Sequence, residues 1–473
     1  MTNIVSPEQE QLAEFIVKTN WDDLPDEVIR TTKLIMLDSI GCALAGMSND
    51  LGRIAVMLAN RLGGTAESSI IGMGNKVSCS EAAFANGELI RAVDYDAMLP
   101  GGHTPPNVIP PALAMAEVAG ASGKDLILGT ATGFEVAARV TGALSKGAII
   151  TGSKDTNFGM GERGGGASGN FGAVAGAGKV FKLDHDRMLN ALGIAGHLCQ
   201  VLTNTKFTMS PQRAMTKYGV PGWQNTGAVA AVLMSDMGYM GDITVFEQEY
   251  GYWKFCGYRG WDSDRITDGL GKTWLFPVVN YKPYPCCRML HSSLDCFINI
   301  INRNHLMPEE IDSVRAYLHP VAESPLFVNR ELTNAVDVQF GLHYVLAAAA
   351  FRIQMGVEWQ DLHILDKPEI HEFVKKISFG EHPEFNQEKL KNPRSHVAKV
   401  EVDARGQTFT EDRYYSKGTP GTEFAMTEDE LIEKFRHNAS RILTKDKTDG
   451  AIAAILGLEQ VKHVSELMEQ ICL

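Results

Sequence analysis

The sequence is short of the features that usually betray a function. Its eight cysteines, at positions 42, 79, 199, 256, 286, 287, 296 and 472, contain no C-x-x-C pair and follow no regular spacing. That excludes a zinc ribbon and the disulfide framework of a small secreted domain, so reduced thiols are expected. Positive charge is scarce too: 44 Lys and Arg stand against 57 Asp and Glu, a formal net charge of −13. A basic footprint for nucleic acid or an anionic membrane is therefore missing, and no such partner is expected. No apolar run approaches the roughly 18 residues that a membrane span needs. The start, Met1-Thr2-Asn3-Ile4-Val5-Ser6-Pro7, lacks the basic and apolar regions of a signal peptide, so a cytoplasmic location is expected. H-E-x-x-H, G-x-S-x-G, a Walker loop and an EF-hand loop are all absent, which removes the commonest metallopeptidase, serine-hydrolase, nucleotide and calcium readings.

What is present is a chain of 473 residues, 44% apolar and 21% charged. That composition is ordinary for a globular protein, and the length exceeds what one core usually fills, so two domains are expected. The first half reads helical. Ser6-Pro7 and Pro25-Asp26 are helix starts, and apolar residues recur at helical spacing after each. Further helices are expected near 80–95, 107–119, 124–146, 168–182, 186–202 and 223–238. Many are rich in Ala and Gly, which lets helices approach closely. After about 265 the pattern changes. Alternation over Ile311 to His319 and Val374 to Phe379 reads as strand, and two runs around Ala404-Arg405-Gly406 read as a hairpin. Helices near 286–304 and 336–352 lie among the strands. Thr427 with Glu430 forms a capping box that returns the chain to helix. The fold expected is mainly α: an all-α domain of 1–267 and 411–473, and a smaller α+β lid of 268–410, with the chain crossing between them twice. A cleft between domains is a favoured site for small ligands.

Four segments can carry chemistry. Asp94-Tyr95-Asp96-Ala97-Met98 runs on to His103 through one short loop. A histidine near neutrality moves protons, and a neighbouring carboxylate orients it; equally, the acids could cap helices. Gly159 to Gly169 formally contains G-x-G-x-x-G, but no strand precedes it and no βαβ unit surrounds it, so a dinucleotide site is rejected. Its amides and Arg163 could instead hold a carboxylate. Lys206 to Lys217, with Arg213 between, is a basic stretch or a solvated face. Tyr281-Lys282-Pro283-Tyr284-Pro285-Cys286-Cys287-Arg288, with His291 after it, offers Lys282 and Arg288 as cations. Its cysteines match no zinc or iron–sulfur spacing and read as buried apolar residues.

These residues resemble a known family, MmgE/PrpD, which includes 2-methylcitrate dehydratase, cis-aconitate decarboxylase and iminodisuccinate epimerase. Leu37-Asp38-Ser39-Ile40-Gly41-Cys42 looks like its N-terminal helix, and Ala85-Asn86-Gly87 leading to Asp94-Tyr95-Asp96, His103 and Val108-Ile109-Pro110 like its central block. Tyr281 to Arg288 with His291 and Asp295, and Lys434-Phe435-Arg436-His437-Asn438-Ala439-Ser440, are similar to two further blocks. The resemblance implies a homodimer of two-domain subunits that works without metal or organic cofactor on a small carboxylate. It implies Asp94, His103, Lys217 and Lys282 as catalytic residues, with His103 positioned by Asp94, and Arg163, Arg288, Cys287 and Met98 as substrate contacts. A second histidine common before the glycine-rich helix is replaced by Arg163 or its neighbours. Cys287 stands where decarboxylase-like members can carry a histidine. A lyase of the dehydratase or hydratase type is expected first, with decarboxylase, epimerase and a non-catalytic carboxylate binder as alternatives.

Overall fold

The computed structural model describes residues 5–100, 102–144, 165–199, 204–210, 213–217, 219–256, 260–392 and 394–473. They form a mainly helical protein with a small sheet region. The helix starts read from the sequence hold: Ser6 caps Pro7–Lys18 through the Gln9 amide, and Pro25 precedes Asp26–Gly46. From Ile35 to Gly46 this second helix is buried on every side, as a helix at the centre of a bundle must be. Cys79–Arg91, Pro105–Ala119 and Gly123–Leu144 pack against it, and Gly165–Val180 packs on the last two of these.

The small residues do what their size allows. A Cβ on Gly133 would stand 2.6 Å from the carbonyl oxygen of Gly172, and a Cβ on Gly172 would stand 2.6 Å from that of Gly133. The helices Gly123–Leu144 and Gly165–Val180 therefore touch backbone to backbone, which any side chain at these two positions would prevent.

The sheet has four strands in the order Ile377–Glu381, Ile311–Leu318, Ala398–Ala404, Gln407–Arg413. The first pair is parallel and the other two are antiparallel. The expected hairpin is present, with Ala404 opposite Gln407 and Arg405 and Gly406 both at positive φ, the geometry that a two-residue hairpin turn requires. Ala398, Val400, Val402 and Ala404 are buried, and this strand packs on the helix His291–Arg303.

Two expectations need correction. Val374 belongs to the helix Pro368–Lys375, and the strand begins at Ile377; helical spacing of Ile370, Phe373 and Val374 outweighed the short alternation. The helix expected near 336–352 is two, Ala335–Phe340 and Leu342–Ala350, meeting at Gly341, where a Cβ would lie 2.5 Å from Asp337 O.

The apolar core falls into separate clusters. One large cluster joins residues from Leu24 to Val180 with Phe276, Val279 and Tyr281 and with the C-terminal helices. Another holds residues from Tyr284 to Ala404 together with Phe207. The four-stranded sheet lies in the segment between Tyr284 and Leu431. No helix among the described residues is long and apolar enough to cross a membrane.

Gly133→Ala is expected to lower stability by about 1–3 kcal/mol, the usual cost of forcing a methyl into a packed contact. Thermal unfolding checks this, and an unchanged midpoint would contradict the backbone contact.

Candidate active site

Three segments meet at one buried carboxylate. The helix Cys79–Arg91 ends in the loop 92–104. The segment 213–220 leads into the helix Pro221–Asp236. The segment 280–288 leads into the helix His291–Arg303. The two prolines Pro283 and Pro285 keep the last of these extended, as their neighbours' restricted backbone demands.

Asp94 is the meeting point. It is 1% exposed and adopts a left-handed backbone, φ +51°, which costs a non-glycine residue free energy and persists where the surroundings enforce it. Lys282 Nζ donates to Asp94 Oδ2 at 2.8 Å and to Asp94 O at 2.8 Å. Lys217 Nζ donates to Asp94 Oδ1 at 3.2 Å and to Arg91 O at 3.1 Å. Both lysines are buried, and Lys217 is itself left-handed, φ +50°. Arg91 fixes the Lys217 turn by donating to Thr216 O at 2.8 Å and to Gly219 O. Arg213 docks the same stretch through an ion pair with Asp337 at 2.9 Å.

Burial pushes the Asp94 carboxyl up, but the charges of Lys282 and Lys217 overcome it and hold it well below the usual carboxylate range. The lysines part company. Burial lowers Lys282, yet Asp94 and Asp96 outweigh that and raise it. Burial lowers Lys217 to about 8: Asp94 pulls upward, while the cations Arg91 and Lys282 push it down further. So one lysine is a fixed cation, and the other can give up a proton near neutrality.

His103 has a different carboxylate partner from the one expected. Its Nδ1 lies 2.7 Å from Asp96 Oδ2, not against Asp94. Burial raises Asp96, but His103 beside it wins and holds it below its ordinary value. An ionised Asp96 can only accept, so His103 Nδ1 carries the proton. The left-handed backbone at Asp94 breaks the two-residue repeat that would put Asp94 and Asp96 on one face of an extended chain, and the two carboxylates meet different partners. That geometry replaces the expected Asp94–His103 pair.

The other candidates fall unevenly. Cys287 sits beside this centre, and burial pushes its thiol up to about 12, with Asp94 adding to the rise, so it stays protonated. Met98 is half-buried and pairs with Asn280 through backbone hydrogen bonds at 2.9 Å. Arg288 is buried: it donates to Lys417 O at 2.6 Å and Thr419 Oγ1 at 3.0 Å and lies 3.1 Å from His291 Nδ1. It ties the 416–419 segment to the loop 280–288, and its buried Nε has no hydrogen-bond partner among the described residues. Arg163 and most of the glycine-rich loop lie outside the described residues. No group of three or more metal-ligating side chains occurs among the described residues.

Sequence reasoning assigned no role to Asp38 or Lys434. Lys434 Nζ donates to Asp38 Oδ1 at 2.6 Å, Tyr95 O at 2.8 Å and Lys282 O at 2.9 Å, and lies 3.7 Å above the Tyr95 ring. Asp38 Oδ2 accepts the Ala97 amide at 3.0 Å. One buried ion pair from the first and last thirds of the chain thus clamps the loops that carry Asp94, Asp96 and Lys282. The available signal was Asp38 itself, an acid inside an otherwise apolar stretch of helix.

Comparison with known proteins bears out the family resemblance. The MmgE/PrpD N-terminal domain matches residues 10–262, and the MmgE/PrpD C-terminal domain matches residues 284–460. A cis-aconitate decarboxylase of Aspergillus terreus is 26% identical over 95% of this chain and 92% of its own length. A cis-aconitate decarboxylase-like protein of Aspergillus oryzae is 24% identical over 97% of this chain and 96% of its own. The cis-aconitate decarboxylase of Homo sapiens is 24% identical over 94% and 90%.

Lys434→Met strands a buried Asp38 carboxylate and is expected to cost about 3–5 kcal/mol, the usual penalty for removing one partner of a buried pair. Adding Asp38→Asn should recover part of that loss, because the two positions are coupled. A denaturation cycle on the three variants checks this, and purely additive losses would contradict it.

Proposed function

The chain belongs to the MmgE/PrpD family, and we propose that it is a cofactor-independent lyase acting on a small di- or tricarboxylate by moving a proton beside a carboxylate. The observation that carries this reading is the pairing of two buried lysines on Asp94 beside a histidine held by Asp96. Each lysine uses two of its three N–H donors on groups among the described residues. The third is available to a substrate carboxylate. Substrate contact by Arg163 adds a cation, and Cys287 and Met98 shape the wall.

Decarboxylation ranks ahead of the dehydration expected from sequence, because the curated relatives bear the name of cis-aconitate decarboxylase. In that reaction the electron pair of the breaking C–CO2 bond moves into the neighbouring unsaturated system, and a proton ends on carbon. The lysine cations stabilise the charge as it develops, usually the largest catalytic contribution. His103, as imidazolium held by Asp96, delivers the proton, an effect worth about 10²–10⁴-fold. Dehydration uses the same groups in another order: a base removes the proton and the histidine serves the departing hydroxyl. The expected lid of 268–410, closing on the helical part over this centre, and a homodimeric assembly belong to the same proposal.

NMR of the purified protein with cis-aconitate, 2-methylcitrate, citrate and amino-dicarboxylates in D₂O tests it. Loss of carbon dioxide with one deuterium in the product supports decarboxylation. Loss of water supports dehydration, and binding without turnover of any member overturns the enzyme reading.

Two variants follow. His103→Ala should lower kcat by about 10²–10⁴-fold, the contribution of one proton-transfer group; full activity would remove His103 from the mechanism. If the Lys217 cation holds substrate, kcat/KM falls as pH rises through about 8, where that lysine loses its proton. Lys217→Arg should keep the charge and move this alkaline limb upward, because guanidinium stays protonated. A limb that stays in place would assign it to another group.

A further inference from the structure

Behind the Asp94 loop, on the side away from the lysines, lies a buried chain of amides with no role in the chemistry so far described. Gln360 ends the turn Val357–Gln360 and is 7% exposed. Its Nε2 donates to Val93 O at 2.7 Å and to Pro285 O at 2.8 Å. Its Oε1 accepts from Gln339 Nε2 at 2.8 Å and from Asn49 Nδ2 at 3.2 Å. All the hydrogen-bonding capacity of one carboxamide is thus in use. The Gln339 side chain, also buried, donates a second time to Ala92 O at 2.8 Å, and the Gln339 main-chain carbonyl accepts the Cys287 amide at 2.8 Å.

The groups held are telling. Ala92 O and Val93 O are the two carbonyls immediately before Asp94. Pro285 O and the Cys287 amide flank Cys286, in the segment that begins with Lys282. The glutamines therefore bridge the loop that bears the buried carboxylate and the loop that bears its fixed cation. Val93 O belongs to the peptide plane whose nitrogen is that of Asp94, the left-handed residue. Lys282 holds the Asp94 carbonyl on the other side. The strained backbone of Asp94 is thus gripped before and after its Cα, the over-determination that such a conformation needs. Neither glutamine can rotate its amide by half a turn without placing an oxygen against carbonyl oxygens, so the orientation is fixed by its partners.

We propose that Gln360, with Gln339, is a positioning residue: it sets the separation and orientation of the Asp94 and Lys282 loops, and so the geometry of the reacting groups. This rests on the lyase reading only for its kinetic consequence. The positioning itself is a property of the folded chain. A misplacement of about 1 Å at reacting groups costs on the order of 10²-fold in rate, so a structural amide at this distance acts on kcat.

Gln360→Met keeps the length and volume of the side chain and removes both donors. In this variant, amide hydrogen exchange over 92–97 and 285–288 is expected to speed up at least tenfold, while exchange in the helix Glu428–Ala439 stays as in the parent. With a carboxylate substrate that the parent protein turns over, kcat should fall at least tenfold and KM change less than threefold. Gln339→Met should behave alike, and the double variant should be little worse than either, because the two act in series. Unchanged exchange at both loops, or local loosening with parental kcat, overturns the proposal. Loosening without any turnover by the parent leaves the positioning intact and counts against the lyase reading instead. If Gln360→Met fails to fold, Asn49→Ala loses one acceptor contact behind the same amide and should give a smaller change in the same two loops; no change there also overturns the proposal.

Discussion

Everything at the centre of this protein depends on keeping one carboxylate ionised where water does not reach. Burial alone would protonate Asp94. Two lysines reverse that, and they come from segments more than a hundred residues away on the C-terminal side. Three loops must therefore arrive together or the charges are stranded, and stranded buried charges are expensive. The surrounding construction reads as a response to that demand. Arg91 and Arg213 fix the turn that presents Lys217, Lys434 with Asp38 fixes the backbone at Tyr95, Ala97 and Lys282, and the buried glutamines fix the backbone before Asp94. The helices are packed closely enough, through Gly133 and Gly172, for the bundle to serve as a rigid base.

The same electrostatics divides the labour. Lys282 makes two contacts to Asp94 and is driven toward permanent charge. Lys217 makes one longer contact to that carboxylate, has two cations for neighbours and loses its proton far more easily. Two chemically identical side chains thus become a fixed cation and a titratable one through placement alone, the usual way in which a fold separates acid and base roles. His103 is held separately, by Asp96.

Much of this was legible beforehand, for identifiable reasons. Helix starts marked by Ser6-Pro7 and Pro25-Asp26, the Thr427 capping box and the Arg405-Gly406 turn are local signals, and local signals survive into the fold. The Asp94, His103, Lys217 and Lys282 segments stood out because charged and proton-transferring residues crowd into short loops there. What could not be read was pairing. Sequence order suggests nothing about which of Asp94 and Asp96 meets His103, because the left-handed backbone at Asp94 that separates the two side chains is enforced by tertiary partners and has no glycine to announce it. Arg288 stood out by charge, but its hydrogen bonds to the carbonyl of Lys417 and the hydroxyl of Thr419, more than a hundred residues on, were not legible. Lys434 was part of a recognisable block, but its reach to Asp38 across nearly the whole chain is a property of the tertiary fold.

The claim on which the account turns is that Lys217 is a buried lysine whose proton is held mainly by Asp94. Selective labelling of lysine Nζ and an NMR titration of the parent protein and of Asp94→Asn measure this directly. In the parent, besides Lys179, one lysine, Lys217, should titrate at about 8. In Asp94→Asn, that lysine should titrate lower still, because burial remains and the attracting carboxylate is gone. A Lys217 that titrates in both proteins near 10.4, where an unperturbed lysine does, would contradict the account.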